Sequence, residues 1–366
     1  MYLREIPEAI IIFVTEAGLK GLNAVVQFLQ RTDEFVRNHP HLPAGPMRKK
    51  LFAHLETMRP YTLLWCGLVS LVGASLRYGD LPPMRIAVIV FFIPILGWVA
   101  GLYLADYYDK TLDAIQKPHR PIPSGRISPR EALSVGAIYA ILGLMLSFFL
   151  PLTNIVLIVI AGVLVFCYAK YTKAKGLLGN FNRGAMTLVT YLFGVVAIET
   201  TTTPPVSLWL LSLVFFFHDT NSNIIGAIRD VHGDRTAGYE TTPVRYGIRH
   251  TLLISATFSI VYLLLTTGII SAFPLLVYPS FFLMFFSIGI LVLCMMYLIL
   301  FTSMKTLTQK QSLYAHELFV AERIIFSSAF LVGIASSHSL SVSICLICLV
   351  VTLLSQHLLR ERYELI

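Results

Sequence analysis

The stretch DYYDKTLDAIQKPHRPIPSGR, residues 106–126, places three aspartates before a basic loop and directly follows a long apolar run. Asp109 and Asp113 are four residues apart, and Asp106 precedes Asp109 by three, so a helix would hold the three carboxylates on or near one face. Two carboxylates one turn apart can share a divalent cation. The stretch therefore predicts either a charged anchor at a membrane boundary or a site for a metal-bridged phosphate.

The composition is that of a polytopic membrane protein. Of the 366 residues, 56% are hydrophobic and 13% are charged, which is too apolar for an ordinary soluble domain. The net charge of +8 comes without a basic aromatic surface module, so we expect no nucleic-acid partner and assign the basic residues to membrane orientation. The five cysteines lie in or beside apolar runs, without the spacing of a disulfide framework or a zinc site.

The first 52 residues differ from the remainder. The stretch EAIIIFVTEAGLKGLNAVVQFLQRTDEFVRN has apolar residues at helical spacing, interrupted by Glu16, Lys20 and Arg31. This pattern predicts an amphipathic helix that lies on the bilayer, and NHPHLPAGPMRKK after it is typical of a linker. We therefore divide the chain into an amphipathic helix with its linker, 1–52, and a transmembrane domain, 53–366.

Ten apolar runs follow, each near the length needed to cross about 30 Å of hydrocarbon. They cover residues 60–79, 85–105, 131–151, 153–169, 184–200, 205–228, 251–271, 273–300, 319–336 and 340–358. Because lipid cannot satisfy backbone polar groups, these runs should be helices. The predicted fold is an all-α transmembrane bundle of about nine to ten spans, and whether the last two runs are separate spans stays open.

The loop charges predict the orientation. If the amino terminus is inside, the inward loops carry Lys110, Lys117, Arg120, Arg126, Arg130, Lys170, Lys173, Lys175, Arg183, Arg229, Arg235, Arg245, Arg249, Lys305, Lys310 and Arg323. The outward loops carry Arg77 and Arg85. This asymmetry predicts a multi-pass integral membrane protein with both termini, and the ends of spans two and six, in the cytoplasm.

A second acidic motif, RDVHGDRTAGYETTPVRYG at residues 229–247, repeats the pattern of the first. Asp230 and Asp234 are four residues apart at the cytoplasmic end of the sixth span, beside arginines. Two acidic pairs at one membrane depth, with Lys and Arg nearby, suit a diphosphate held through Mg²⁺, since the metal takes hard oxygen ligands and the cations balance the remaining charge. The alternative is a pair of solvated helix ends.

Two further stretches offer candidate contacts. YAKYTKAKGLLGN, residues 168–180, ends the fourth span, and its Tyr171 and Lys175 lie one helical turn apart as possible phosphate contacts; a lysine there could equally be an anchor. FFFHDTNSN, midway along the sixth span, holds His218 and Asp219, an expensive pair at that depth. They either bond neighbouring helices or line a cavity, with Asn223, to orient an acceptor.

Together the motifs resemble the signature of the UbiA superfamily of intramembrane prenyltransferases, N-x-x-x-D-x-x-x-D and D-x-x-x-D. The resemblance covers residues of about 55 to 300 and includes KPHRPIPSGR and, at Arg59, RPYT. It implies that Asp109, Asp113, Asp230 and Asp234 bind Mg²⁺ and a prenyl diphosphate. The further substrate contacts that we expect are Asp106, Lys117, Arg120, Arg126, Tyr171, Lys175, Asn223 and Arg235, with Arg59 and Asp219 as candidates for an acceptor.

One position departs from the family pattern. Ala105 replaces the asparagine of the first motif and cannot bind a metal; Asp106, Asn221 or Asn223 could supply the missing oxygen. The resemblance implies transfer of a prenyl group from its diphosphate to an aromatic acceptor. Because of Ala105, a terpene cyclase of the same superfamily is an alternative, and a transporter or scaffold is a lesser one. Chain length, acceptor and oligomeric state stay open.

Overall fold

The computed structural model describes residues 46–364, and this part of the chain contains helices and turns but no strand. The helices are α1 Pro46–Met58, α2 Leu63–Tyr78, α3 Met84–Gln116, α4 Pro129–Ser147, α5 Leu152–Cys167, α6 Leu177–Val196, α7 Val206–Thr236, α8 Thr242–Ala272, α9 Pro279–Thr302, α10 Gln309–Ile334, α11 His338–Ser355 and α12 Glu361–Glu364. The predicted all-α fold is confirmed. The amphipathic helix predicted near the amino terminus lies outside the described residues.

Helices α2 to α11 overlap the ten predicted runs one for one, although α3 continues past its run to Gln116, and α8 and α10 begin before theirs, at Thr242 and Gln309. Six of them, α3, α4, α5, α8, α9 and α11, are long and apolar enough to cross a membrane, with α5 and α11 continued to Thr172 and Arg360 by π-helical turns. Helix α2 has 16 residues, whereas α6, α7 and α10 carry polar side chains such as Asn180, Asp219 and Arg323. How many of the ten helices span the bilayer therefore stays a prediction.

Helix α10 lies at the centre of the bundle. Every residue from Phe319 to Ile334 is buried, and α10 packs against α2, α7, α9 and α11. Helix α2 also packs closely on α6: a Cβ at Gly194 would lie 1.8 Å from the carbonyl oxygen of Ser70. Small residues permit such close approach of membrane helices. In contrast, α5 buries only Asn154 among its residues, as expected for a helix that faces lipid.

The two acidic motifs lie near the carboxyl-terminal ends of α3 and α7. The negative end of a helix dipole is an unfavourable place for carboxylates, so both motifs need cations nearby.

Helix α1 begins at Pro46, inside the stretch predicted to be a linker, and proline is well suited to a first helical turn.

Candidate active site

A cavity of about 660 Å³ brings the two acidic motifs together. Its polar mouth is lined by Asp109, Asp113, Asp230 and Asp234, with Lys117, Arg120, Lys173 and Arg229. From the mouth an apolar arm runs between α3, α4, α5 and α6, lined by Ile93, Gly97, Gly101, Gly136, Ala140, Gly143, Leu157, Ile158, Ala161 and Val165. A charged mouth that continues as an apolar arm suits an amphiphile with an anionic head and a hydrocarbon chain.

In the first motif each carboxylate pairs with one cation. The ammonium group of Lys173 donates a hydrogen bond to Asp109. Nη1 of Arg120 donates to both carboxylate oxygens of Asp113, at 3.0 and 2.9 Å. Both carboxylates are buried, being 5% exposed, so these charge-assisted bonds offset the loss of hydration.

In the second motif the two carboxylates differ. Asp230 accepts from Lys117 Nζ at 3.0 Å and from Arg229 at 3.2 and 2.6 Å, whereas Asp234 accepts from the hydroxyl of Thr241 at 2.9 Å. Burial alone would raise the pKa of Asp230, but Arg229 and Lys117 lower it below its usual range. Burial and the neighbouring Asp230 raise the pKa of Asp234 to about 6.

The donor set fits Mg²⁺. Among residues 46–364, no three His, Cys, Asp or Glu side chains converge closely enough to form a complete metal site. Mg²⁺ does not require one, because it usually binds one or two carboxylates together with waters and substrate phosphates. The four motif aspartates, two on α3 and two on α7, offer such oxygens to one cavity. Lys117, Arg120 and Lys173, which pair with these carboxylates, line the same cavity.

The methyl group of Ala105 lines the cavity where the family motif has an amide. Of the candidates to replace that amide, Asn223 reaches the cavity; it accepts from Asn180 at 2.7 Å and donates to the hydroxyl of Tyr168 at 3.2 Å. Asn221 instead bonds Ser255 and Ser259 on α8. Asn180 and Asn223 both line the cavity, so their side-chain amides are the groups that could replace the amide of the missing asparagine.

Arg59 also lines the cavity, while its partner Asp106 does not. Arg59 bonds Asp106 and the hydroxyl of Tyr363. Its φ of 47° is positive, which no other non-glycine residue in the described part of the chain shows. Such strained backbone persists where surrounding contacts fix it, often at functional sites. Asp106 therefore pairs with Arg59 and Tyr363 and, contrary to the prediction of a substrate contact, does not line the cavity.

Besides Asp106, five other predicted contacts lie off the cavity wall, contrary to the prediction: Arg126, Tyr171, Lys175, Arg235 and Asp219. Arg126 donates to the carbonyl of His119 and pairs with Glu56. The side chains of Tyr171, Lys175 and Arg235 are exposed.

The buried pair His218 and Asp219 bonds neighbouring helices. His218 Nε2 lies 2.8 Å from Glu322, and Asp219 accepts from Thr187 at 2.8 Å and from Arg323 at 2.9 Å. Neither side chain lines the cavity, so their geometry matches the helix-bonding alternative.

Several cavity residues were not favoured from the sequence: Lys173, Arg229, Arg360 and Glu364. Lys173 lies two residues from the preferred Lys175, and Arg229 directly precedes Asp230, so local spacing contained a signal for both. Arg360 and Glu364 belong to a segment far along the chain that approaches the motifs only in the folded protein.

The helical bundle, with paired acidic motifs at the mouth of an apolar cavity, defines an intramembrane enzyme of the prenyltransferase class. The model of the UbiA prenyltransferase family matches residues 63–322, and this chain belongs to that family. It is accordingly a UbiA-type prenyltransferase and an integral membrane protein, which confirms the predicted family and enzyme class and sets the transporter or scaffold alternative aside.

Individual relatives are consistent with the family assignment. The chain is 33% identical over 221 residues to digeranylgeranylglyceryl phosphate synthase of Korarchaeum cryptofilum, covering 59% of this chain and 75% of that protein. A solved structure described in terms of digeranylgeranylglyceryl phosphate synthase in membranes aligns with a TM-score of 0.58 at 25% identity, over 78% of this chain and 98% of that one. A UbiA homologue from Archaeoglobus fulgidus, solved with DMAPP and Mg²⁺, aligns with a TM-score of 0.52 at 15% identity, over 84% and 99%.

Proposed function

We propose that this enzyme binds a prenyl diphosphate through Mg²⁺ between its two aspartate pairs and transfers the prenyl group to the hydroxyl of a glyceryl phosphate. One observation carries the proposal: the four motif carboxylates and their cations line the mouth of a single cavity whose arm is apolar. The diphosphate would lie at the mouth, and the hydrocarbon chain would lie in the arm.

The residues at the mouth have separate roles in this reaction. Asp109, Asp113, Asp230 and Asp234 would hold Mg²⁺, which supplies electrophilic stabilisation of the departing diphosphate. Lys117, Arg120 and Lys173 would take up phosphate oxygens and stabilise the charge that develops there. The bond between the allylic carbon and the diphosphate oxygen would break, a bond from that carbon to the acceptor oxygen would form, and the hydroxyl proton would pass to the released diphosphate.

The acceptor class follows from the relatives and not from the cavity alone. The digeranylgeranylglyceryl phosphate synthases that match this chain carry that product in their name, which favours a glyceryl phosphate acceptor and a geranylgeranyl donor over the aromatic acceptor expected from the sequence. The cytoplasmic position of the mouth rests on the charge asymmetry of the loops.

The test supplies purified enzyme with Mg²⁺ and geranylgeranyl diphosphate, first alone and then with a prenylated glyceryl phosphate, followed by mass spectrometry. We expect a new ether only when the acceptor is present. A cyclic hydrocarbon formed without acceptor would instead support the terpene cyclase alternative. That alternative was raised because Ala105 replaces the asparagine of the first motif.

The motif aspartates provide the matched variants. We expect Asp109→Ala and Asp234→Ala to abolish turnover while the protein stays monodisperse in detergent. Full activity in both variants would contradict a metal-diphosphate site at the mouth.

A further inference from the structure

A segment after α11 turns back into the mouth of the cavity. We call it the return segment; it comprises the π-helical turn Gln356–Arg360 and α12. Its Arg360, Tyr363 and Glu364 side chains are buried, at 1%, 1% and 6% exposure. The family match ends at residue 322, so the return segment lies beyond the matched residues.

Glu364 occupies the centre of a cation cluster. One carboxylate oxygen accepts from Lys117 and from Arg120, each at 3.1 Å, and the other pairs with Arg229 at 3.1 Å. All four side chains line the cavity. Three cations converging on one acidic group is the arrangement that proteins use to bind phosphate.

The neighbouring residues fix the return segment in place. The Tyr363 hydroxyl donates to Asp106 at 2.7 Å, and its ring contacts the guanidinium groups of Arg59 and Arg120, which lie 4.5 and 4.3 Å from the ring centroid. Cation–π contacts of this kind stabilise by about 0.5–2 kcal/mol. The segment is thus held by contacts to the same residues that would handle the substrate.

Arg360 adds unused donors to this site. One of its nitrogens bonds His316, but Nε and Nη1 are buried without a hydrogen-bond partner among the described residues. Buried donors in native proteins are normally satisfied. A guanidinium on the cavity wall with free donors is therefore a position at which an anionic group of a ligand would be stabilised.

We propose that Lys117, Arg120 and Arg229 form a phosphate site that Glu364 occupies in the substrate-free enzyme, so that the return segment competes with the substrate and moves out when the substrate binds. The inference rests on the proposed function, because it assumes a phosphorylated substrate at the mouth. A phosphate offers more charge and more acceptor oxygens than one carboxylate, and it can also use Arg360. The phosphate is either the diphosphate of the donor or the phosphate of the acceptor.

Binding without turnover tests the competition. Calorimetry on the full-length protein in detergent would use Mg²⁺ with inorganic pyrophosphate in one arm and glycerol 1-phosphate in the other. We expect Glu364→Gln to bind at least one of them about tenfold more tightly than the wild type, since a larger fraction of the protein is then competent to bind. Tighter binding of pyrophosphate would identify the phosphate as that of the donor, and tighter binding of glycerol 1-phosphate would identify it as that of the acceptor.

The matched control is Glu199→Gln, which removes an exposed carboxylate that does not line the cavity and should bind as the wild type does. Unchanged or weaker binding of both ligands by Glu364→Gln would overturn the inference while leaving the proposed function intact. Binding of neither ligand by any of the proteins would overturn the proposed function and the inference with it.

A second measurement needs no variant. Amide hydrogen exchange of the wild type would be followed for the peptide that covers 356–364, with and without the ligands. We expect faster exchange of this peptide when ligand is bound, because local opening exposes its backbone. Slower or unchanged exchange would mean that the return segment stays in the site as a permanent part of its wall, and would overturn the inference.

Discussion

The two aspartate pairs have the same spacing but balance their charge differently. In the first pair, Asp109 and Asp113 have one cation each. In the second pair, Asp230 has two cations, and Asp234 has the hydroxyl of Thr241. Equal sequence patterns have therefore produced unequal sites, because Lys117 and Lys173 reach their carboxylates from other segments of the chain. We infer that Asp234 is the carboxylate from which a metal has the least to displace.

The largest effects should come from removing a carboxylate of the second pair. We expect Asp230→Asn and Asp234→Asn each to lower kcat/KM at least about a hundredfold, the size typical for loss of a preorganised electrostatic contact. Their stabilities should differ. Asp230→Asn weakens bonds to two cations, each worth about 1.5–3 kcal/mol, whereas Asp234→Asn disturbs one neutral donor worth about 1 kcal/mol.

Activity assays and thermal unfolding in detergent check this pair of variants. A clearly lower melting temperature for Asp230→Asn than for Asp234→Asn is the expected result. Equal melting temperatures would show that the charge imbalance within the second pair contributes little to the fold.

A smaller effect is expected from the cation of the first pair. Lys173→Ala leaves the buried Asp109 without its ammonium partner and removes a cation from the cavity wall. A charge-assisted bond of about 1.5–3 kcal/mol corresponds to roughly a 10- to 100-fold loss in kcat/KM. Steady-state kinetics with the prenyl diphosphate as the varied substrate measure it.

Lys175→Ala is the matched control in the same loop, since Lys175 is exposed and off the cavity wall. We expect its kinetics to stay within about twofold of the wild type, as for most surface substitutions. If Lys175→Ala lost as much activity as Lys173→Ala, the geometry of the loop at the first pair would not be that of the working enzyme.

The helical fold and the pairing of the motifs were predictable from local pattern. Apolar runs gave the positions of α2 to α11, and the four-residue spacing within each motif gave the carboxylates that line the cavity. Which lysine of YAKYTKAK faces Asp109 was not predictable from regular helical spacing, because residues 168–172 form a π-helical turn and Lys173 lies directly after it. Lys175 lies two residues further on, in the bend before α6, where its side chain is exposed.

The partners that come from remote parts of the sequence were harder to predict. Glu364 pairs with Lys117 across 247 positions, and no spacing rule relates the two residues. Asp106 illustrates a different difficulty: it lies near the face of Asp109 by helical periodicity, yet Arg59 and Tyr363 bond it outside the cavity. Periodicity places a residue on a face of its helix, and the packed neighbours then decide what it contacts.

The smallest effect is expected from Arg235, which follows Asp234 directly but whose side chain is exposed and off the cavity wall. Arg235→Ala should change kcat/KM by no more than about twofold, measured under the conditions used for Asp234→Asn. A tenfold loss would instead mean that Arg235 turns inward during turnover and supplies the cation that Asp234 lacks. In that case the two aspartate pairs would balance their charge alike in the working enzyme, and the asymmetry would belong to the substrate-free state.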